Sequence, residues 1–319
     1  MPEQPPSLEF EVVDVFTDRP FAGNPLAVVL GADDLATGQL QALAAEFNLS
    51  ETAFPMAPTA AERARGAHYR LRIFTPGTEL PFAGHPSVGT AWLLARRGAL
   101  APGRAVQACG AGDLPLEVSA DGGPVRLTGG APAQRGDVDP APLLAALGLE
   151  PADLDPQLPG RAAAVAGTGV DQAHLFVRPG ALAALRPDAG ALERLPHRVP
   201  LTGTAPLAGL LAVAWGGPDG SGRWSARVRM LGTGIGVAED PATGSAALGL
   251  GVSAVAAGLL PGEGTSELVV TQGVEMGRPS RLEVRVRAAG GRAAEVSVQG
   301  AVVPVSSGRI AVPPASHGR

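Results

Sequence analysis

Apolar and polar residues alternate in part from Leu8 to Phe16, the period-two pattern of a half-buried β-strand. A turn at Phe21-Ala22-Gly23-Asn24-Pro25 separates it from an apolar run, Leu26–Leu30, which predicts a second strand. Asp33 or Asp34 is placed to cap a helix reaching about Phe47, with Leu40, Leu43, Ala44 and Phe47 on one face. Asn48-Leu49-Ser50-Glu51-Thr52-Ala53-Phe54 leaves that helix and enters a strand, and His68–Phe74 alternates as another. A helix is predicted from Pro86 to about Arg97, then short strands at 104–108, 114–119 and 124–128. Residues 129–140, rich in Gly, Pro and Asp, read as a linker. The second half predicts a helix at 140–148, strands at 161–166 and 172–178, and short helices within 181–198. Strands at 207–215 and 224–231 precede a helix over 241–257. Strands at 265–272, 281–288, 292–299, 301–305 and 309–313 close the chain, and residues 1–7 form a Pro-rich tail.

Each half thus offers many strands and one long helix. This predicts an α+β fold of two pseudo-symmetric domains, each a barrel-like, mostly antiparallel sheet around a central helix. The boundaries are 1–130, with a return strand near 301–313, and 131–300. A repeat supports the division. Gly77–Ala91 aligns without a gap on Gly232–Ala246 at an offset of 155 positions, matching Gly77/Gly232, Thr78/Thr233, Ala83/Ala238, Pro86/Pro241, Gly89/Gly244 and Ala91/Ala246. In this alignment His85 meets Asp240, and Glu51 falls on Pro206.

The stretch Glu239-Asp240-Pro241-Ala242-Thr243-Gly244-Ser245-Ala246 reads as a helix start, with Asp240 as N-cap and Pro241 at the first helical position. Amides of Thr243, Gly244 and Ser245 at the positive end of the helix dipole would suit an anion. Two such helix starts facing each other would make a closed, water-poor site for a small anion. His85 and Asp240 are either structural caps or site residues able to hold or relay a proton. Glu51, in an apolar setting beside Ser50, is either a surface residue or a buried carboxylate with a raised pKa, suited to proton transfer. Glu46 reads as solvated, and Glu239 as a salt-bridge or surface residue. With Glu51 falling on Pro206, the frame carries one proton-shuttling Glu, and a single base suits an isomerase that takes a proton from one carbon and returns it, on the same face, to another. A racemase would need an acid–base group on each side.

Composition removes several classes. The net charge of −5 offers no basic footprint for nucleic acid. The chain of 319 residues contains no lysine, which excludes Schiff-base chemistry and a P-loop. Cys109 is the single cysteine, and five scattered histidines show no metal-ligand spacing. No signal-peptide pattern and no spanning run are found, so a cytoplasmic location and no membrane partner are expected, and the cysteine and histidine spacing predicts no metal site.

Several blocks together resemble the phenazine-biosynthesis isomerase family (PhzF-like). They are Val13-Asp14-Val15-Phe16-Thr17, Phe21-Ala22-Gly23-Asn24-Pro25-Leu26-Ala27-Val28-Val29, Asn48-Leu49-Ser50-Glu51-Thr52, Phe74-Thr75-Pro76, Glu79–Pro86, Glu239–Ala246, Gln272-Gly273 and Gly277-Arg278-Pro279-Ser280. The resemblance implies the diaminopimelate epimerase fold with a site in the interdomain cleft. It implies that Glu51 is the acid–base residue, assisted by His85 and Asp240. Ser50, Gly84, Gly244 and Ser245 are then expected to bind a dihydro-hydroxyanthranilate-like carboxylate, without cofactor, in a homodimer. Cys109 lies at neither helix start, unlike the cysteines of the thiol-based epimerases. The family often has an aromatic residue and a proline where this chain has Met230-Leu231-Gly232-Thr233, which leaves one pocket wall and the substrate open. The alternatives on the same fold are a racemase or epimerase of a small amino or hydroxy acid, and a non-catalytic small-ligand-binding protein.

Overall fold

The computed structural model describes residues 6–158, 161–199, 207–233 and 238–315. Residues 1–5 of the Pro-rich tail, Pro206, and 234–237 within the second repeat lie outside the described residues. The chain divides into two compact units, Met1–Leu127 with Gly300–Arg319, and Thr128–Gln299.

In the first unit β1 (Ser7–Val15) turns back into β2 (Asn24–Leu30). Helix α1 (Thr37–Phe47) crosses over to β3 (Glu51–Met56), which pairs parallel with β2, Leu26 opposite Glu51. A parallel pair needs such a crossover. After the short α2 (Ala60–Ala64), β4 (Tyr69–Phe74) pairs with β3 and with the two-residue β5 (Glu79–Leu80). Helix α3 (Gly84–Arg96) follows, then β6 (Gly103–Cys109), β7 (Gly112–Val118) and β8 (Val125–Thr128). The last strand of the chain, β18 (Val302–Ala311), closes this unit on β1, and it is one strand where the sequence predicts two. Alternate residues of β2 serve two helices, as the pleat requires. Val29 joins the core under α1 with Leu40, Leu43, Phe54 and Phe74. Leu26 instead packs toward Gly89 of α3. Phe54 and Phe74 are fully buried with their rings edge to face at 5.5 Å, and burying each contributes about 2–3 kcal/mol. Helix α1 starts three residues beyond Asp34, with Ala36 as its N-cap, and ends at Asn48 in the left-handed conformation (φ 49), which asparagine tolerates well.

The second unit repeats this order. It comprises β9 (Ala133–Asp137), α4 (Ala141–Leu147), β10 (Ala163–Gly167), β11 (Asp171–Phe176), α5 (Ala181–Ala184), α6 (Ala189–Arg198), β12 (Leu207–Pro218), β13 (Trp224–Gly232), β14 (Glu239–Asp240), α7 (Gly244–Ala256), β15 (Gly264–Gln272), β16 (Ser280–Ala289) and β17 (Arg292–Gly300). Strand β9 pairs with β10, so the predicted linker is partly a strand. Strands β11 and β12 are parallel with α5 and α6 as the crossover, matching β2, α1 and β3. Leu143, Leu147, Leu175, Leu192, Leu195 and Leu210 belong to one core here.

The two long central helices are buried through most of their length, α3 from Gly84 to Leu93 and α7 at all but Ser245 from Gly244 to Val255. A helix apolar all round belongs inside a fold rather than on its surface. Among the described residues no helix is long and apolar enough to cross a membrane.

At the two central helices and the short strands before them, the repeat offset is 160 positions. Strands Glu79–Leu80 and Glu239–Asp240, and helix starts Gly84 and Gly244, each lie that far apart. The expected pairing of His85 with Asp240 is therefore corrected: His85 corresponds to Ser245, and Asp240 to Leu80. The 155-position alignment matched proline and glycine spacing, which punctuates many turns, and missed the strand that precedes each helix. Strand ladders extend the new correspondence. Ile73 opposes Leu80 as Met230 opposes Asp240, and Ala53 opposes Ile73 as Leu211 opposes Met230. Two residues back, Glu51 corresponds to Gly209 rather than to Pro206. Leu26, opposite Glu51, then matches Gln172, opposite Gly209. Packing agrees: Leu26 and Gln172 approach Gly89 and Gly249, again 160 positions apart.

Gly23 sets up the start of β2. It has φ +66, and a Cβ there would lie 2.4 Å from the Val15 carbonyl. Gly23→Ala is expected to lower unfolding free energy by about 1–3 kcal/mol, read by denaturant titration, because both conformation and space oppose the methyl.

Candidate functional site

Four residues from three places in the first unit form one polar cluster. Asn24 opens β2, Ser50 and Glu51 end the crossover into β3, and His85 is the second residue of α3. Asn24 is fully buried and His85 is 3% exposed. The Ser50 hydroxyl donates to Asn24 Oδ1 at 3.1 Å. Asn24 Nδ2 lies 3.1 Å from His85 Nδ1, and His85 Nε2 lies 3.5 Å from Glu51 Oε2. The Glu51 side chain retains 14% exposure, so it is largely withdrawn from water but reachable. Burial pushes the His85 pKa down to about 3, because the interior disfavours the imidazolium. The ring is thus neutral at physiological pH.

Helix α3 begins at Gly84, two residues before the predicted start, with Ala83 as N-cap. The first helical bond runs from Ser87 N–H to Ala83 O, so the amides of Gly84 and His85 precede the ladder. The Gln107 amide donates to Ser87 Oγ at 2.9 Å, and the Tyr69 hydroxyl donates to Gln107 Oε1 at 2.8 Å, bracing that turn.

In the second unit α7 begins at Gly244 with Thr243 as N-cap, so Asp240 is not the cap and Pro241 is not the first helical residue. Asp240 instead forms a strand bridge with Met230, and its carboxylate accepts the Thr243 hydroxyl. Gln272 does the capping. Its Oε1 accepts the Thr243 N–H at 3.1 Å, while its Nε2 donates to Asp240 O at 2.6 Å. Thr243 N–H is therefore spent, and the amides ahead of the first helical bond, Ala247 N–H to Thr243 O, are those of Gly244, Ser245 and Ala246. Gly273 (φ +74) lets this strand end close on the turn, since a Cβ there would lie 2.6 Å from the Pro241 carbonyl. Ser280 Oγ donates to that carbonyl at 2.7 Å. Arg229 holds Glu239 with two bonds of 2.8 and 2.7 Å and donates to Leu182 O at 2.9 Å, which confirms the salt-bridge reading of Glu239. The Gln172 amide, 1% exposed, donates to Ser245 Oγ at 3.2 Å.

Sequence reasoning picked Glu51, Ser50, His85 and Gly84, which the first unit gathers, and Asp240, Gly244 and Ser245, which the second unit gathers at the α7 start. Glu46 is exposed on α1, as expected. It missed the three carboxamides, Asn24, Gln272 and Gln172. Asn24 and Gln272 stood inside quoted blocks, read only as turn and strand-end residues. Gln172 carried no local signal.

The phenazine biosynthesis-like protein family (PhzC-PhzF) matches residues 13–308. The chain belongs to that family. It is 35% identical over 308 residues to a trans-2,3-dihydro-3-hydroxyanthranilate isomerase of Pseudomonas aeruginosa, covering 94% of this chain and 98% of that one. It is also 35% identical over 314 residues to an uncharacterised isomerase of Mesorhizobium japonicum, covering 93% and 96%. The crystal structure of a Bacillus anthracis phenazine biosynthesis protein of the PhzF family superposes with a TM-score of 0.80 at 25% identity, covering 96% of this chain and 99% of that one. This PhzF-family chain is accordingly an isomerase with the epimerase-type α+β fold that the sequence predicts.

Proposed function

We propose that this PhzF-family isomerase shifts a proton within a small carboxylate-bearing substrate of the dihydro-hydroxyanthranilate class, with Glu51 as its single acid–base group and without a cofactor. One observation carries the reading: Glu51 Oε2 stands 3.5 Å from a buried, neutral histidine in a cluster withdrawn from water. The ionised Glu51 takes a proton from a substrate carbon, and the carbon–hydrogen electron pair enters the conjugated system. The same carboxyl then returns the proton to a second carbon. His85 Nε2 supports the charge that develops between the two steps, and Ser50 and Gly84 help to seat the substrate beside Glu51. Amides of Gly244 and Ser245 suit the substrate carboxylate, since a helix N-terminus favours an anion. Asp240, held by the Thr243 hydroxyl, assists by accepting a substrate hydrogen bond. The homodimer implied by the resemblance is part of the same reading.

The second unit has Gly209 at the position corresponding to Glu51, and the Met230 side chain occupies the space a side chain there would need, 2.1 Å from its Cβ site. This favours one base over the pair that a racemase requires. The test uses trans-2,3-dihydro-3-hydroxyanthranilate deuterated at the carbon that loses its proton. Part of the label is expected at the receiving carbon after a single turnover. Inversion at one centre with label drawn wholly from solvent would support a racemase instead.

A further inference from the structure

We infer that Asn24 is a positioning residue that fixes the proton of His85 on Nε2, so that the histidine acts only as a hydrogen-bond donor beside Glu51. This rests on the reading of Glu51 as the acid–base group.

A neutral imidazole carries one donor nitrogen and one acceptor nitrogen, and a carboxamide NH₂ only donates. The Ser50 hydroxyl donates to Asn24 Oδ1 at 3.1 Å. The opposite corner of the amide, Nδ2, then faces His85 Nδ1 at 3.1 Å. Nδ1 must accept, so the single ring proton sits on Nε2, the ring nitrogen 3.5 Å from Glu51 Oε2. Asn24 is fully buried and His85 nearly so, and water has little access to offer Nδ1 an alternative partner. Burial holds the imidazolium off down to about pH 3, so the single-proton tautomer persists through the working range.

An aspartate at this place would do the opposite. Its carboxylate accepts only, would draw a proton onto Nδ1, and would leave Nε2 as a base competing with Glu51. The carboxamide therefore separates the roles: the histidine donates, and the carboxylate moves the proton. At the matching helix position of the second unit a carboxamide also donates, the Gln172 amide to the Ser245 hydroxyl at 3.2 Å, although Gln172 matches Leu26 rather than Asn24 on the strand.

The tautomer can be read in the full chain by long-range ¹H–¹⁵N correlation on ¹⁵N-histidine-labelled protein, with His85→Gln assigning the signal. Wild type is expected to show a protonated Nε2 and an unprotonated Nδ1. Asn24→Asp is expected to move the proton to Nδ1 or give an imidazolium, and to slow proton exchange with trans-2,3-dihydro-3-hydroxyanthranilate by about tenfold or more. Asn24→Ala is expected to give a mixture of tautomers with a smaller loss. A protonated Nδ1 in wild type, which needs no variant to fold, would overturn the inference, as would an unmixed Nε2–H form in both folded variants. The two readings separate cleanly. Glu51→Gln with full exchange and an unchanged Nε2–H signal would remove the acid–base role of Glu51 and leave the Asn24 assignment standing.

Discussion

Glu51→Gln is expected to lower proton exchange into a dihydro-hydroxyanthranilate substrate by between about 10² and 10⁴-fold, the usual weight of a general acid–base group. The substitution keeps shape and hydrogen-bonding reach but cannot take up a proton. Substrate affinity by calorimetry should stay within a few-fold of wild type, since the interaction lost belongs to the transition state. Neither the adjacent imidazole nor the pseudo-symmetric position can take over. His85 is neutral, with burial opposing its charged form, and the corresponding place in the second unit is Gly209. Glu46→Gln, exposed on α1, is the matched control and should retain full activity. Retention of wild-type exchange in Glu51→Gln would end the single-base reading.

Acid is expected to destabilise this protein earlier than carboxylate titration alone would allow. Burial depresses His85 to about 3 and His174 to about 4, against a slight opposing effect of the Ala246 backbone on His174. Both are fully buried or nearly so, and the Ser253 hydroxyl lies 2.9 Å from His174 Nδ1. In the unfolded chain each histidine titrates near 6.5, so below that pH the unfolded state binds protons that the folded state refuses. The stability these neutral rings permit is therefore complete above about pH 6.5 and falls as pH drops toward the folded values. Below about pH 6.5 the slope approaches about 1.4 kcal/mol per pH unit for each ring, so lowering the pH from 7.5 to 5.0 should cost about 4 kcal/mol for the pair. Paired carboxylates such as Asp113 and Asp153, lowered chiefly by Arg65 and by the Glu150 backbone respectively, lose their share at lower pH still. Urea unfolding at the two pH values checks this. His85→Gln and His174→Gln should each remove about half of the drop, and an unchanged drop in both variants would refute it.

Much of the fold was legible because local physics sufficed. Alternation marked β1 and β4, and a continuous apolar run marked β2. The apolar run after Pro86 could only be a core helix, and the punctuated Ala/Leu/Gly segment after Pro241 likewise. Helix starts were less legible. Pro86 and Pro241 invited a reading as first helical residues, but the helices begin at Gly84 and Gly244, because a two-residue strand precedes each and sets where the chain turns. The linker reading of 129–140 failed for a related reason: β9 gains its hydrogen bonds from β10, a partner about thirty residues away that composition does not reveal.

The candidate site divides the same way. Glu51 stood out because a carboxylate in an apolar run needs an explanation, and His85 because a helix start offers one. By itself the sequence determined the period of each element, the presence of two similar halves, and the absence of lysine and paired thiol chemistry, all properties of residue type and spacing along the chain. Only the tertiary structure decided that His85 corresponds to Ser245, that the place matching Glu51 is a glycine covered by Met230, and that buried amides of Asn24, Gln172 and Gln272 direct the polar groups. Those facts depend on strand register and on hydrogen bonds between residues far apart in sequence, where a shift of one position turns a side chain to the other face.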